Sequence, residues 1–148
     1  MKHPQLKLDN QICHRLYMAS NALTRTYREM LSELDLTYPQ YVVMMALWEQ
    51  DNISITKLLE KTAIDGSAMT QILKKMSDKG LLNIIKDGKD NRKRLVTLQD
   101  DGKKIQNKAA SIPQSIRCQF PSLSHEDSEK LIHLLDKVIH DAESVKRP

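Results

Sequence analysis

Ser54-Ile55-Thr56-Lys57-Leu58-Leu59-Glu60-Lys61-Thr62, then Asp65-Gly66-Ser67-Ala68-Met69-Thr70-Gln71-Ile72-Leu73-Lys74-Lys75-Met76-Ser77-Asp78-Lys79-Gly80, then Leu82-Asn83-Ile84-Ile85-Lys86-Asp87-Gly88-Lys89-Asp90-Asn91-Arg92-Lys93-Arg94-Leu95-Val96-Thr97-Leu98 decide the fold. Ser54 can cap a short helix over residues 55–62. Asp65 can cap a second over 66–79, which Gly80 ends. Residues 82–86 and 94–98 read as two strands, with Asp87-Gly88 and Asp90-Asn91 supplying turn chemistry between them. Two short helices joined by a tight turn and followed by a hairpin make a winged helix-turn-helix.

Outward from this core lie longer helices. Ile12, Leu16, Ala19, Leu23, Tyr27, Met30 and Leu34 recur at steps of three and four, predicting one helix over 9–34. Thr37-Tyr38-Pro39-Gln40 is a capping box with proline in the first turn, opening a helix to about residue 50 that is apolar nearly all round and therefore buried. A helix from about residue 99 runs until Pro113 interrupts it. Ser124 caps a last amphipathic helix to about 145, with Leu131, Leu134, Leu135, Val138 and Ile139 on one side. The expected fold class is mainly α with a small β-hairpin wing. It is a single domain over 1–148, with dimerisation helices at about 9–34 and 99–145 around a winged core at 38–98.

Composition agrees with that reading. Four glycines and five prolines in 148 residues disfavour a sandwich or barrel. No apolar run approaches the roughly 18 residues of a membrane span, and the N-terminal residues lack the apolar region of a secretion signal. A cytoplasmic protein is expected, without a membrane partner. Two cysteines, Cys13 and Cys118, are too few for a secreted disulfide scaffold.

The net charge of +4 is unevenly placed. Residues 71–94 carry eight cations against three anions, so the rest of the chain is close to neutral. Such a block is the footprint of phosphate binding. The second short helix is the natural major-groove reader. Its outward positions Ser67, Thr70, Gln71 and Lys74, with Lys75 beside them, offer polar groups near the positive end of the helix dipole. Ile72, Leu73 and Met76 are expected to face inward. The hairpin tip presents Lys89 and Arg92 to an adjacent minor groove. Double-stranded DNA is the expected partner.

Thr56-Lys57-Leu58-Leu59, residues 65–70, Leu73-Lys74-Lys75-Met76, Lys79-Gly80-Leu81, and Asp90-Asn91-Arg92 through Leu98 and Gly102 resemble the MarR family of regulators over essentially the whole chain. The resemblance implies a homodimer on a pseudo-palindromic operator. It also implies that Asp90 orients Arg92, which reads the minor groove. Two departures are visible. The reading helix opens Gly66-Ser67 where the family has serine or threonine before glycine, and Leu98-Gln99 follows the wing where the family has leucine-threonine.

Cys13 has Tyr17 one helical turn away on the same face. Tyr27 lies near that face but fourteen residues on, roughly 21 Å along a straight helix. It can meet Cys13 only across an antiparallel contact between two chains, where Tyr38 can join it. On composition alone, Cys13 is better read as a small buried hydrophobe and the tyrosines as core. Residues 10–17, Tyr27 and the run Leu36-Thr37-Tyr38-Pro39-Gln40-Tyr41 are similar to the OhrR branch of MarR regulators, the organic-hydroperoxide sensors. That resemblance implies a peroxidatic Cys13, with Tyr27 and Tyr38 contacting it from the other subunit. Cys118 matches the second, resolving cysteine of the two-cysteine members. The reading calls for no cofactor.

Other chemistries are poorly supported. His125, His133 and His140 lack the i, i+4 spacing of a helical metal clamp, and no phosphate loop, nucleophile elbow or carboxylate dyad is present. An enzyme reading leaves the basic wing unexplained. The rival within the same fold is a regulator gated by a small apolar or phenolic ligand, with Cys13 incidental.

Overall fold

The Thr37 hydroxyl accepts from the Gln40 backbone N–H at 3.3 Å, and Gln40 Oε1 accepts from the Thr37 N–H at 3.1 Å. The expected capping box therefore opens α2 (Tyr38–Glu49). The computed structural model describes residues 2–145. They divide into two compact units, one up to Ile112 and one from Pro113 onward.

In the first unit α2 is the centre, with Tyr41, Val43, Met44, Ala46 and Leu47 buried. Leu31 of α1 (Ile12–Ser32), Leu58 of α3 (Ile55–Thr62) and Met69, Leu73 and Met76 of α4 (Gly66–Asp78) complete the helical core. Burying each of the leucine, valine and methionine side chains contributes about 1.5–3 kcal/mol before ordering costs. Leu73 and Met76 face inward as expected. Met69 joins them, while Ile72 is only half-buried.

α1 is shorter than its periodicity predicts. Two single 3-10 turns, Pro4–Leu6 and Leu8–Asn10, precede it, and the Gln11 amide holds them by donating to the carbonyls of Gln5 and Lys7. At the other end Asp35 takes φ 53° and the Leu36 N–H returns to the Leu31 carbonyl at 3.1 Å. This left-handed closure ends the helix before Leu34 can extend it.

Ser54 caps α3 by accepting from the Lys57 N–H at 3.2 Å, and Gly80, at φ 75°, follows α4 as expected. Asp65 behaves differently. Its carboxylate accepts a hydrogen bond from the Ser67 hydroxyl, and its side chain makes no capping bond to a backbone N–H.

The hairpin forms as predicted. β2 (Leu82–Lys86) and β3 (Arg94–Leu98) pair antiparallel, from Leu82 opposite Leu98 to Lys86 opposite Arg94. A strand the sequence did not reveal, β1 (Ile53–Ser54), pairs with β3 at Ile53–Val96 and Ser54–Leu95. Two residues are too few to leave a periodic signature. The sheet order is β1-β3-β2, so α3 springs directly from the strand beside the wing. Only the root of β2 is buried, at Leu82, and Ile84 and Ile85 are exposed.

α5 (Asp100–Ala109) stops four residues short of Pro113, and α6 (Ile112–Cys118) restarts with that proline in its first turn. Gly102 lies against the wing root: an added Cβ would fall 2.2 Å from the Leu81 carbonyl oxygen. Trp48 Nε1 donates to the Gly102 carbonyl at 2.9 Å.

The second unit contains the rest of α6 and α7 (His125–Ser144). Ser124 and Asp127 form a reciprocal capping box, both bonds at 3.0 Å. Leu131, Leu134, Val138 and Ile139 lie exposed along one helical stripe. Among the described residues no helix is long and apolar enough to cross a membrane.

Candidate DNA interface and thiol site

α4 buries Met69, Leu73 and Met76 and leaves Ser67, Thr70, Gln71, Lys74 and Lys75 exposed, so the expected reading residues share its outer side. Two of the hydroxyls are already engaged. Ser67 donates to Asp65, and Thr70 Oγ1 donates to the Gly66 carbonyl at 3.1 Å. Their outward lone pairs suit exocyclic amino groups of adenine or cytosine. The Ser67 hydroxyl is also the main reason the Asp65 carboxyl is held below its ordinary range, opposed by desolvation and helped to a lesser degree by the nearby backbone N–H groups of Ser67, Ala68 and Gly66.

Asp90 bonds the wing backbone: its Oδ1 accepts from the Arg92 N–H at 3.0 Å. Asp87 does the same for the Lys89 N–H at 3.0 Å. These two turns fix the direction of the tip and leave the side chains of Lys89 and Arg92 exposed. Asp90 thus holds the main chain at Arg92 rather than its side chain.

Lys79 departs from the rest of the basic block. At the end of α4 its ammonium lies 3.3 Å from the Asp35 carboxylate and 3.4 Å from Gln40 Oε1, and donates to the Asp35 carbonyl. It ties the reading helix to the turn that starts α2. Gln40 is itself buried and completes the capping box beside Tyr38.

Cys13 is a free, exposed thiol one residue into α1. α1 is continuous from there through Tyr27, which keeps the two apart within one chain. Tyr27 instead meets Tyr38, ring centroids 4.9 Å apart, and Tyr41 at 5.9 Å. Tyr41, omitted from the expected pocket, belongs to this cluster; its i, i+3 spacing from Tyr38 on α2 was the available signal. Tyr17 stays beside His14, centroids 6.5 Å apart, outside the cluster. Burial, then Tyr38 and Tyr41, raises the Tyr27 pKa, and burial followed by Tyr38 raises that of Tyr41. Both phenols therefore remain O–H donors at neutral pH.

A cavity of about 380 Å³ opens beside the cluster, lined by Thr24, Arg28, Leu36, Thr37, Tyr38 and Pro39 among others. In the second unit, Cys118 is a free, exposed thiol at the end of α6, 3.8 Å from the Gln114 amide nitrogen.

A family model described as transcriptional regulator SarA/Rot matches residues 25–109. The organic hydroperoxide resistance transcriptional regulator of Bacillus subtilis is 35% identical over 133 residues, covering 90% of this chain and 88% of that protein. Two solved structures share the fold and more than a fifth of the sequence. BpsR of Bordetella bronchiseptica, whose DNA binding is regulated by 6-hydroxynicotinic acid, superposes with TM-score 0.78 at 27% identity, covering 87% of this chain and 98% of that one. A cysteine-to-serine mutant of E. coli MarR in complex with operator DNA superposes with TM-score 0.79 at 25% identity, covering 86% and 92%. With α4 and the wing arranged as in a DNA reader, and with relatives of this kind over nearly the whole chain, the protein belongs to the MarR/SarA family of winged-helix transcriptional regulators.

Proposed function

We infer that this regulator is a homodimeric repressor that releases its operator when organic hydroperoxides oxidise Cys13. The carrying observation is the separation of two complementary halves of a thiol site: an exposed Cys13 at one end of α1, and the Tyr27–Tyr38–Tyr41 cluster at the other. Crossing two α1 helices antiparallel brings each thiol to the other chain's tyrosines. The exposed apolar residues Ile12, Tyr17, Met18 and Leu23 on α1, and the stripe on α7, supply surface for such a dimer.

The chemistry balances simply. The Cys13 thiolate attacks the terminal peroxide oxygen, the O–O bond breaks, and an alcohol leaves after protonation, with Cys13 now a sulfenic acid. Phenolic donors stabilise the thiolate without adding charge. The Cys118 thiol then displaces water to form a disulfide between subunits. The consequent movement of α6 respaces the two reading helices, so both no longer fit their half-sites. No turnover is needed, and the protein acts as a regulator in a reducing cytoplasm rather than as an enzyme.

The cavity beside Tyr38 supports a second reading, since its size suits a small molecule and BpsR is regulated by one. The experiment that separates the two is a mobility shift on the DNA upstream of the protein's own gene, with and without an organic hydroperoxide. Loss of the shifted band in the parent protein and its retention in Cys13→Ser is expected. Equal release of DNA by oxidant from Cys13→Ser would remove the thiol from the mechanism and favour ligand gating.

A further inference from the structure

On the β1 flank of the wing, a cleft of about 370 Å³ is lined by Ser54, Thr56 and Lys57 from the start of α3 and by Arg92, Lys93 and Arg94 from the returning limb of the wing. The sheet builds it. Ser54 is in register with Leu95, so the first turn of α3 emerges next to Arg94. Four cations therefore line one concave space, and among the described residues none of them has a salt-bridge partner. Lys61, one helical turn beyond Lys57, does have one, in Glu49 at 2.6 Å. Arg94 is steadied by the Asn91 carbonyl, which accepts from its guanidinium at 3.1 Å.

Like charges held together in a cleft raise one another's energy unless an anion enters. The placement says which anion. With α4 in a major groove and the Arg92 tip in the adjacent minor groove, the strand dividing the grooves must pass between them. The cleft joins α3, the helix that precedes α4, to the wing that carries Arg92. We propose that this cleft seats one backbone phosphate of each operator half-site, with Lys57 and Arg94 as its principal ligands. This rests on the DNA-binding reading of α4 and the wing, and adds a fixed, sequence-independent anchor that sets the depth of both.

The test uses the full-length protein and a duplex of about three helical turns that it selects from a random pool. Lys57→Ala is expected to weaken binding several-fold on every duplex alike and to lower the slope of log K against log salt by about 1 for each phosphate no longer neutralised. A single neutral methylphosphonate is then moved along the strand between the grooves. One position per half-site should weaken the parent protein and leave Lys57→Ala unaffected. Strict additivity of the two changes at every position, or an unchanged salt slope, would overturn the proposal while leaving DNA binding itself intact. Failure of the parent protein to select any duplex would instead sink the underlying reading, and this proposal with it. Inorganic phosphate at constant ionic strength distinguishes a free-anion site. No release beyond that caused by chloride is expected, and Lys57-dependent release would reassign the cleft.

Discussion

Ala63 shows how much of this fold rests on single conformations. It closes α3 at φ 54°, and its N–H bonds the Leu59 carbonyl at 2.9 Å. A β-carbon in the left-handed region costs roughly 1–2 kcal/mol, part of which glycine forfeits through a freer unfolded chain. Ala63→Gly should therefore stabilise the protein by about 1 kcal/mol, read as a higher urea midpoint with unchanged slope. Asp65 offers a pH test. Its folded pKa lies below the ordinary carboxylate value, chiefly because of the Ser67 hydroxyl. Its contribution to stability is therefore complete above the unfolded pKa and disappears as pH falls through the depressed folded one. Ser67→Ala should move the NMR titration of Asp65 upward; an unmoved titration would dissociate the pair. At the thiol site, Tyr27→Phe removes only a hydroxyl. A donor to a charged acceptor contributes about 1.5–3 kcal/mol, so oxidation of Cys13 by cumene hydroperoxide should slow roughly ten- to a hundredfold by stopped-flow, with operator affinity nearly unchanged.

At the scale of elements, the basic block of residues 71–94 divides into groups that charge counting cannot separate. Lys74 and Lys89 are exposed, whereas Lys79 is committed to Asp35 and Gln40. Lys79→Met should cost about 1 kcal/mol of stability, because these are partly exposed polar bonds. Its salt slope on DNA should match the parent's, unlike that of Lys57→Ala. A lowered slope would return Lys79 to the DNA face. Helices with paired caps, such as α2 and α7, were legible from sequence because one local interaction decides where each starts. The ends of α1 were not, because Gln11 and the left-handed Asp35 override an apolar repeat that continues past both. β1 and the cleft beside the wing were invisible for a related reason. Both arise from pairing between Ser54 and Leu95, which are forty-one positions apart. Lys57 looked like an ordinary helix-surface lysine until that register placed it next to Arg94.

At the scale of the whole molecule, apolar faces on α1 and α7 stand exposed in the single chain, and a face of this kind is normally covered. Sedimentation at micromolar concentration should give a dimer; a stable folded monomer would contradict it. After one equivalent of organic hydroperoxide, a non-reducing gel should show a dimer-sized, thiol-reversible band that is absent from Cys118→Ser. Normal induction and recovery in Cys118→Ser, with no crosslinked species in the parent, would mean that an external small thiol does the resolving.

The unbroken run of α1 from Cys13 to Tyr27 also has a genetic consequence. If every sensing pocket draws its thiol from one polypeptide and its phenols from the other, two defective alleles are not equivalent to one. A Cys13→Ser allele and a Tyr27→Phe/Tyr38→Phe allele are each insensitive as homodimers. Their heterodimer contains one pocket with both defects and one with neither. Co-expression in a single cell should therefore restore the response to peroxide in roughly the mixed half of the dimers, whereas placing both lesions on one allele beside a wild-type copy should leave no intact pocket in the mixed dimer. Complementation between alleles, scored as peroxide-dependent release of operator DNA from mixed dimers purified through a different tag on each chain, thus reads the path of one helix without any structural measurement.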